Sequence, residues 1–516
     1  MSRSALRLTA GIRLNASMLR FLALFVAAVI SATLAFGQTQ PTSRTQPQRG
    51  LVRNLPGAFQ GYTVLAPLRS TSTFLIDMKG KVVHEWKSRY TPTFGIHLLA
   101  NGNLLRAGRD PNNPHFDVGG QGGIVQEISW DSSIVWEYVY SNHQHAQHHD
   151  IEPLPNGNVL LLAWERKTAH EASIAGRDPE FLAGTGLWPE QLIEVQPIRP
   201  LGGEVIWEWH LWDHLIQDRD PNLKNFGKVE ERPELVNING DSGHRRESDE
   251  ELAQLRALGY IVDSPQARDP RAGGDKRKSD WNHANSISYN PKLDQIALSV
   301  LRFSEVWIID HSTSTAEAAA HSGGKGGRGG DLLYRSGNPQ TFRGAGFADQ
   351  QQLFGQHDAR WIPDGLPGAG NLTVFNNGRG RPDGEFSSVD EIRLPTKNLR
   401  TKDSEGRPIF AAAELVWSFA GSSTARFYSG HVSGAERLPN GNTLVCIGEH
   451  GRIVEVTPKG DIVWEYLNPI TGEVTRELPP WQPPSTAGTA TDGDPHGLSR
   501  AIRLGRDHPG LGRLAK

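Results

Sequence analysis

The stretch HHDIEPLPNGNVLLLA, residues 148–163, contains both the turn and the histidine from which the fold and its candidate site can be predicted. Its centre, Pro155-Asn156-Gly157-Asn158, lies between two strand-like runs, and Asn-Gly adopts the positive φ angles of a tight hairpin turn with little strain. Intact or degenerate copies of this turn occur at Asn101-Gly102-Asn103, Asn290–Asp294, Asp364-Gly365 and Pro439-Asn440-Gly441-Asn442. The chain therefore repeats one hairpin several times.

A second hairpin alternates with the first. It consists of an apolar strand that ends in an acid, a turn, and a strand that ends in tryptophan. Its copies are Phe74–Asp77 with Trp86, Ile124–Glu127 with Trp136, Leu192–Glu194 with Trp207, Val306–Asp310, Val389–Ile392 with Trp417, and Ile453–Glu455 with Trp464. Two hairpins that alternate about six times predict an all-β fold, a six-bladed β-propeller with four-stranded blades.

The N-terminus carries a different pattern. Residues 1–37 combine arginines with the apolar run Phe21–Phe36 and the small-x-small sequence Ala35-Phe36-Gly37, which together are typical of a cleaved signal peptide. The alternative, an uncleaved anchor, would have a run shorter than the roughly 20 residues that a spanning helix needs. We therefore expect a periplasmic or secreted protein without stable membrane association after cleavage.

The rest of the chain divides by composition. Residues 38–50 are predicted to be a polar linker and residues 51–510 the propeller. A charged stretch at 213–280, with a short capped helix at Asp249–Tyr260, is interpreted as a surface insertion. The formal net charge is −3, so the chain lacks the basic field that nucleic-acid binding requires. The sequence leaves open whether the protein forms a homodimer.

The first residue of each inner turn provides a register across the modules. Counting back seven residues from it reaches Phe94, His149, His283, His357 and Ser433 in successive modules. His431 lies two residues before Ser433, on the same strand face. Because blades are related by rotation about the propeller axis, we expect these residues to form a ring around the central channel. In the alternative, the histidines cap turns or fill gaps between blades.

Histidines in a ring can hold a metal ion, or they can act as a nucleophile with proton donors near neutral pH. Nearby charges favour the second use. Arg302, Arg166 and Arg379 each follow the corresponding strand of a histidine-bearing module. Arginine suits an anion with several oxygens, such as sulfate or phosphate, so we expect no metal in the ring.

Four segments form a joint pattern that is more specific than any one of them: HHDI at 148–151, WNHANSI at 281–287, FGQHDAR at 354–360 and FNNG at 375–378. With them, the chain resembles the bacterial aryl-sulfate sulfotransferases over nearly its whole mature length. The resemblance implies a periplasmic six-bladed propeller that moves a sulfuryl group from a phenolic sulfate to a phenol. It also implies that no cofactor takes part, adenosine phosphosulfate included.

The resemblance further implies roles for individual residues. His357 matches the family's nucleophile, which forms a sulfohistidine, and His149 and His283 match its two assisting histidines. Asn285 matches the sulfate-binding asparagine, and Arg302 matches the sulfate-binding arginine after a one-residue insertion.

Three more residues of the register are expected to bind substrate: Phe94, His431 and Ser433. Phe94 stands where the family has a channel tyrosine. Two alternatives remain open from the sequence: a metal-dependent hydrolase or lyase on the same propeller, and a propeller that binds partners without catalysis.

Overall fold

A computed structural model of the chain describes residues 49–241, 247–261, 276–343, 345–396, 399–422, 425–472 and 494–514. The predicted signal peptide, residues 1–37, and most of the predicted linker lie outside these ranges. Gly50, the last residue of the predicted linker, already begins a strand. Among the described residues, no helix combines the length and the apolar content that crossing a bilayer requires.

The described chain forms the predicted six-bladed β-propeller with antiparallel blades. From the channel outwards, the strands are Leu498–Gly505, Gly61–Pro67, Ser72–Ile76 and Val82–Lys87 in blade 1; Pro92–Leu98, Leu104–Arg109, Gly123–Ile128 and Ile134–Val139 in blade 2; His145–Pro153, Val159–Glu165, Glu190–Pro197 and Gly203–His210 in blade 3; Ala284–Asn290, Gln295–Val300, Glu305–Asp310 and Tyr334–Ser336 in blade 4; His357–Trp361, Leu372–Asn376, Ser388–Arg393 and Glu414–Phe419 in blade 5; and Gly434–Arg437, Thr443–Ile447, Arg452–Val456, Ile462–Leu467 and Gly50–Asn54 in blade 6.

Short elements decorate the blades. Two-stranded pairs join Leu215–Ile216 to Val236–Asn237, Arg400–Lys402 to Pro408–Phe410, and Gly421–Ser422 to Ala425–Arg426. The α-helices are Ala169–Ile174, Asp249–Leu258, Lys276–Ser279, Thr315–Ala318 and Gln340–Arg343. Single 3₁₀ turns are Pro179–Phe181, Leu211–His214, Val229–Glu231, Leu301–Phe303, Ala345–Gln350, Gly448–His450 and Pro509–Leu511.

The predicted helix in the insertion is present, and its ends have local causes. Ser248 and Glu251 form a capping box at its start, and Gly259 ends it in the left-handed region at φ 87°. The helix therefore stops at Leu258, two residues before the predicted end.

The two ends of the described chain close the ring. The last strand, Leu498–Gly505, pairs with Gly61–Pro67 as the innermost strand of blade 1. Gly50–Asn54 adds a fifth strand to the outer edge of blade 6. Because the inner hairpin of blade 1 joins opposite ends of the sequence, it has no Asn-Gly turn. This is the physical reason why the register count cannot be made in that module.

The inner strands of blades 3 and 4 are irregular where their histidines lie. Strand pairing shifts register between Gln147 and Ile151 in blade 3 and between Ala284 and Ser286 in blade 4. His149 and His283 both have φ 49°, a left-handed conformation that non-glycine residues adopt rarely and often at functional sites. The two histidines are therefore equivalent in backbone conformation as well as in register.

The tryptophans of the repeated outer hairpin hold the blades together. Trp136 and Trp464 are 0% exposed, and their indole N–H groups donate to the carbonyls of Gly202 and Met78. Trp417 holds the same repeat position in blade 5 but is only partly buried. The repeat thus contains its own internal control for burial.

We predict that Trp136→Ala or Trp464→Ala lowers the free energy of unfolding by about 3–5 kcal/mol, because each removes a buried aromatic side chain. Trp417→Ala should cost clearly less. Chemical denaturation followed by tryptophan fluorescence and circular dichroism measures the three values. Equal losses at all three positions would contradict the packing argument.

Candidate active site

Three histidines from neighbouring inner strands come together near the axis. The rings of His149 and His283 are 4.7 Å apart between centroids. The Phe94 ring lies 5.4 Å from His149 and stacks on His357 at 5.9 Å. All four side chains are buried. The structure therefore places the predicted ring residues of blades 2 to 5 in one enclosed volume.

Asn377 fixes the orientation and tautomer of His357. The Asn377 amide nitrogen donates to the carbonyls of Ser429 at 2.7 Å and Val432 at 3.1 Å. Its Oδ1 is therefore the acceptor for His357 Nδ1–H at 2.8 Å. The lone pair of the ring consequently lies on Nε2, which is buried and has no hydrogen-bond partner among the described residues.

Burial also keeps His357 neutral. Desolvation lowers the pKa of its imidazole to about 3, against about 6.5 for a solvated histidine. An uncharged imidazole with a free, oriented Nε2 can act as a nucleophile near neutral pH. The FNNG segment contained Asn377, but nothing in its sequence pattern assigns the contact with His357.

His149 and His283 share one partner, the hydroxyl of Tyr260. Its oxygen is 2.7 Å from His149 Nε2 and 3.2 Å from His283 Nε2. The Tyr260 ring also meets Phe94 edge-on at 6.3 Å. Burial raises the pKa of the Tyr260 phenol well above its ordinary value, so the hydroxyl keeps its proton.

Tyr260 belongs to residues 213–280, the predicted surface insertion. Part of this segment is buried: Leu255, Leu258, Tyr260 and Ile261 pack in one apolar cluster with Phe94. Arg109 donates to the Tyr260 carbonyl at 2.7 Å and holds the segment in place. The only sequence signal for this contact was the apolar content that follows the capped helix.

Behind the two histidines lie further buried groups. His283 Nδ1 is 2.6 Å from Asp280 Oδ2. His149 Nδ1 is 2.7 Å from Nδ1 of His148, and His148 Nε2 is 2.7 Å from Glu190 Oε2. His148 directly precedes the register position of His149, and Glu190 and Asp280 lie outside the repeated motifs.

An arginine pair lies beside the histidines and contacts a carboxylate from the same insertion. Arg302 approaches Glu247 at 3.2 Å and Asp280 at 3.4 Å, and Arg379 approaches Glu247 at 3.1 Å. Burial alone would raise the pKa of Glu247, but the two guanidinium groups hold this pKa well below its ordinary value. Arg166, the third arginine noted in the sequence, is exposed.

The other predicted site residues have mainly local contacts. Asn285 donates to the carbonyl of Gln356, directly before the blade 5 histidine, and its Oδ1 is buried without a partner among the described residues. Glu449 orients His431 through Nδ1 at 2.9 Å, which leaves His431 Nε2 buried and unpartnered within the same described ranges. The Ser433 hydroxyl contacts Ser429 and Gly448 of its own blade region.

Both ring nitrogens of His149 and of His283 take part in hydrogen bonds, and so does Nδ1 of His357. Within the described ranges, one group of three side chains has ligand atoms within 4.8 Å of one another, namely His214, His321 and Asp331. This group lies beside the outer strands of blades 3 and 4. The Nε2 atoms of His149 and His283 instead share the Tyr260 hydroxyl.

Several solved structures are similar in fold to this chain. A Bacteroides caccae protein of unknown function has 11% identity and a TM-score of 0.40, with 86% of this chain and 99% of that chain covered. The Cps50 (Swd1) β-propeller domain of Myceliophteria thermophila has 10% identity and a TM-score of 0.36, with 82% and 90% covered. A catalytically inactive virginiamycin B lyase from Staphylococcus aureus, with quinupristin, has 10% identity and a TM-score of 0.34, with 82% and 90% covered.

A search of curated proteins gave no significant match. A family model does match: arylsulfotransferase (ASST), over residues 60–462. The match begins just before the strand Gly61–Pro67 of blade 1, ends at the start of the strand Ile462–Leu467 of blade 6, and includes every channel histidine described above. The chain therefore belongs to the arylsulfotransferase family.

Proposed function

We propose that the protein transfers a sulfuryl group from a phenolic sulfate ester to a phenol through a sulfohistidine on His357, without adenosine phosphosulfate. The observation that carries this proposal is the state of the His357 ring: neutral, held through Nδ1, and with a free Nε2 inside an enclosed site. The predicted signal peptide puts this activity in the periplasm or outside the cell.

In the first half-reaction, His357 Nε2 attacks the sulfur of the donor. The N–S bond forms while the bond from sulfur to the phenolic oxygen breaks, and the phenolate takes a proton as it leaves. Two-step transfer replaces one difficult displacement with two easier ones. In the second half-reaction, the acceptor phenol attacks the same sulfur, its proton returns to the site, and the S–N bond breaks.

The arginine pair supports the choice of sulfate as the transferred group. Sulfuryl transfer, like phosphoryl transfer, spreads negative charge over the equatorial oxygens, which positioned cations stabilise. Arg302 and Arg379 already share a carboxylate, Glu247. A sulfate has the same charge sign and a similar oxygen geometry, so it can replace Glu247 between the two guanidinium groups.

The decisive experiment mixes the purified protein with a chromogenic aryl sulfate and no acceptor. We expect a fast release of about one equivalent of phenol per enzyme, then a stall or slow turnover. Mass spectrometry under neutral or basic conditions should find one added sulfuryl group on His357, because a sulfamate-like N–S bond is labile to acid. Added phenol should restore rapid turnover, and a chelator should leave the burst unchanged.

Two variants complete this test. His357→Ala should abolish the burst and the adduct, whereas His143→Ala, which changes an exposed histidine outside the site, should leave both intact. An adduct on His149 or His283, or a burst that survives His357→Ala, would refute the assigned nucleophile. Loss of turnover in chelator would favour the metal-dependent alternative.

We also predict a pH profile. Since burial lowers the pKa of His357 to about 3, the nucleophile gains a proton only as the pH falls towards that value. The burst rate should therefore change little between about pH 5 and about pH 8, where an ordinary histidine would titrate. Rapid-mixing measurements across this range test the point. A burst rate that falls by half near pH 6.5 would contradict a neutral, buried His357.

Glu247 should compete with the substrate's sulfate group. We predict that Glu247→Gln binds inorganic sulfate about tenfold more tightly, a difference of about 1.4 kcal/mol, because the competing negative charge is gone. Isothermal titration calorimetry measures the affinity. Glu250→Gln, an exposed change on the following helix, is the matched control and should bind like the parent protein. Weaker binding in Glu247→Gln would mean that Glu247 organises the arginines for substrate.

A further inference from the structure

An unbroken hydrogen-bonded chain of buried side chains crosses the candidate site. In order, its members are Glu190, His148, His149, Tyr260, His283 and Asp280. Successive donor and acceptor atoms are 2.7, 2.7, 2.7, 3.2 and 2.6 Å apart. Every member is less than 9% exposed. The proposed nucleophile, His357, does not belong to this series of hydrogen bonds. The series can therefore have a role other than nucleophilic attack.

The Asp280 end sets the direction of the hydrogens. The Asp280 carboxylate pairs with Arg302 at 3.4 Å, so it accepts the Nδ1–H of His283. With this hydrogen on Nδ1, the lone pair of the His283 ring lies on Nε2 and accepts the hydroxyl hydrogen of Tyr260. The Tyr260 oxygen is left as an acceptor towards its other partner.

The hydrogen bonds between Glu190 and Tyr260 run in the same donor-to-acceptor direction. His149 Nε2–H donates to the Tyr260 oxygen, so His149 Nδ1 accepts the Nδ1–H of His148. His148 Nε2 then accepts a hydrogen from Glu190 Oε2, while Oε1 of the same carboxyl accepts the backbone N–H of Ala284 at 2.8 Å. A protonated Glu190 therefore satisfies both contacts of its carboxyl group.

Burial favours this neutral arrangement. It raises the pKa of Glu190 well above its ordinary value and lowers the pKa values of His148 and His149 well below theirs. In this arrangement, each of the five groups from Glu190 to His283 has one hydrogen to donate and one lone pair that accepts. Such a chain can pass a proton along its length when each hydrogen shifts by one place.

We propose that these residues form a proton relay in which the Tyr260 hydroxyl protonates the leaving phenolate and Glu190 stores the proton between half-reactions. This rests on the function proposed above and adds Tyr260 as a catalytic residue, with His149, His148 and Glu190 behind it. The 3.2 Å contact between Tyr260 and His283 is the longest in the chain. It is the contact that the hydroxyl gives up when it turns to the phenolic oxygen.

The proton balance closes over the whole reaction. As the S–O bond breaks, Tyr260 gives its hydrogen to the phenolate and receives the Nε2 hydrogen of His149. His149 receives the hydrogen of His148, and His148 receives that of Glu190, which becomes a carboxylate. The negative charge of the donor sulfate ester is then on Glu190, while the sulfohistidine and the phenol are neutral. In the second half-reaction, the acceptor phenol returns its proton along the same path.

The test measures how the burst rate depends on the leaving group. Aryl sulfates whose phenols range from strongly to weakly acidic are compared in the parent protein and in Tyr260→Phe. We expect Tyr260→Phe to lose about 100-fold or more with the least acidic phenol, because a general acid contributes at least this much. With a nitrophenyl sulfate, whose phenolate leaves unaided, the loss should stay below about fivefold, and the adduct should still form on His357.

Glu190→Gln provides a second, isosteric test. Its amide can still donate to His148 and accept from Ala284, but it cannot release a proton, so the steeper leaving-group dependence should appear here too. Tyr140→Phe, which removes a tyrosine hydroxyl outside the relay, should behave like the parent protein. Melting curves establish that each variant is folded.

The outcomes separate the relay from the function on which it rests. An equal rate loss for all leaving groups in Tyr260→Phe, or a parental dependence in Glu190→Gln, would overturn the relay and leave these hydrogen bonds a structural role. If Tyr260→Phe failed to fold, Glu190→Gln alone would decide the question. Absence of a sulfuryl adduct in the parent protein would instead overturn the proposed function.

Discussion

Arg500 extends its guanidinium from the last strand of the chain to carboxylates of two other blades. It donates to Asp150 at 2.9 and 2.8 Å and to Asp358 at 2.5 Å. Each of these acids directly follows a channel histidine, His149 or His357, in the sequence. Removing one partner of such a buried pair costs about 3–5 kcal/mol, because a charge stays behind without compensation. The strand that closes the ring is therefore tied by one ion-pair network to the residues next to two site histidines.

In addition to this ion-pair network, the site depends on the exclusion of water. Burial keeps His357 and His149 neutral, and it keeps the Tyr260 phenol protonated. The charges that remain are paired: Arg302 and Arg379 with Glu247, and Asp280 with Arg302. A nucleophile, a proton donor and an anion-binding pair can lie close together in this way without mutual charge repulsion. Hydration would remove this separation of roles, since each group would then titrate near its ordinary pKa.

Sequence repetition made the fold predictable, and its limits explain what was missed. The Asn-Gly turns and the tryptophan strands are local signals, so the alternating hairpins and the six blades follow from them. His149 and His283 share a positive φ as well as a register, whereas in blade 5 the positive φ falls on Asp358, one residue after His357. Ser433 occupies the same register position, but its hydroxyl forms hydrogen bonds with Ser429 and Gly448. A position in the register does not reveal where a side chain points. Glu190 and Asp280 were missed because neither belongs to a repeated motif: Glu190 precedes the apolar run of its strand, and Asp280 lies three residues before the register position of His283.

Tyr260 is the clearest case of a residue that no repeat can reveal, because it lies in an insertion without a counterpart in other blades. The resemblance to aryl-sulfate sulfotransferases implies a channel tyrosine at the position where this chain has Phe94. The ring of Phe94 packs against both His149 and His357. Phe94 has no hydroxyl, but the phenol of Tyr260 meets its ring edge-on and so reaches the same cluster. A tyrosine hydroxyl can therefore reach one point of the site from a different segment of the chain. Since the same insertion also brings Glu247 to the arginine pair, the proposed general acid and the carboxylate between the arginines both come from a segment outside the propeller repeat.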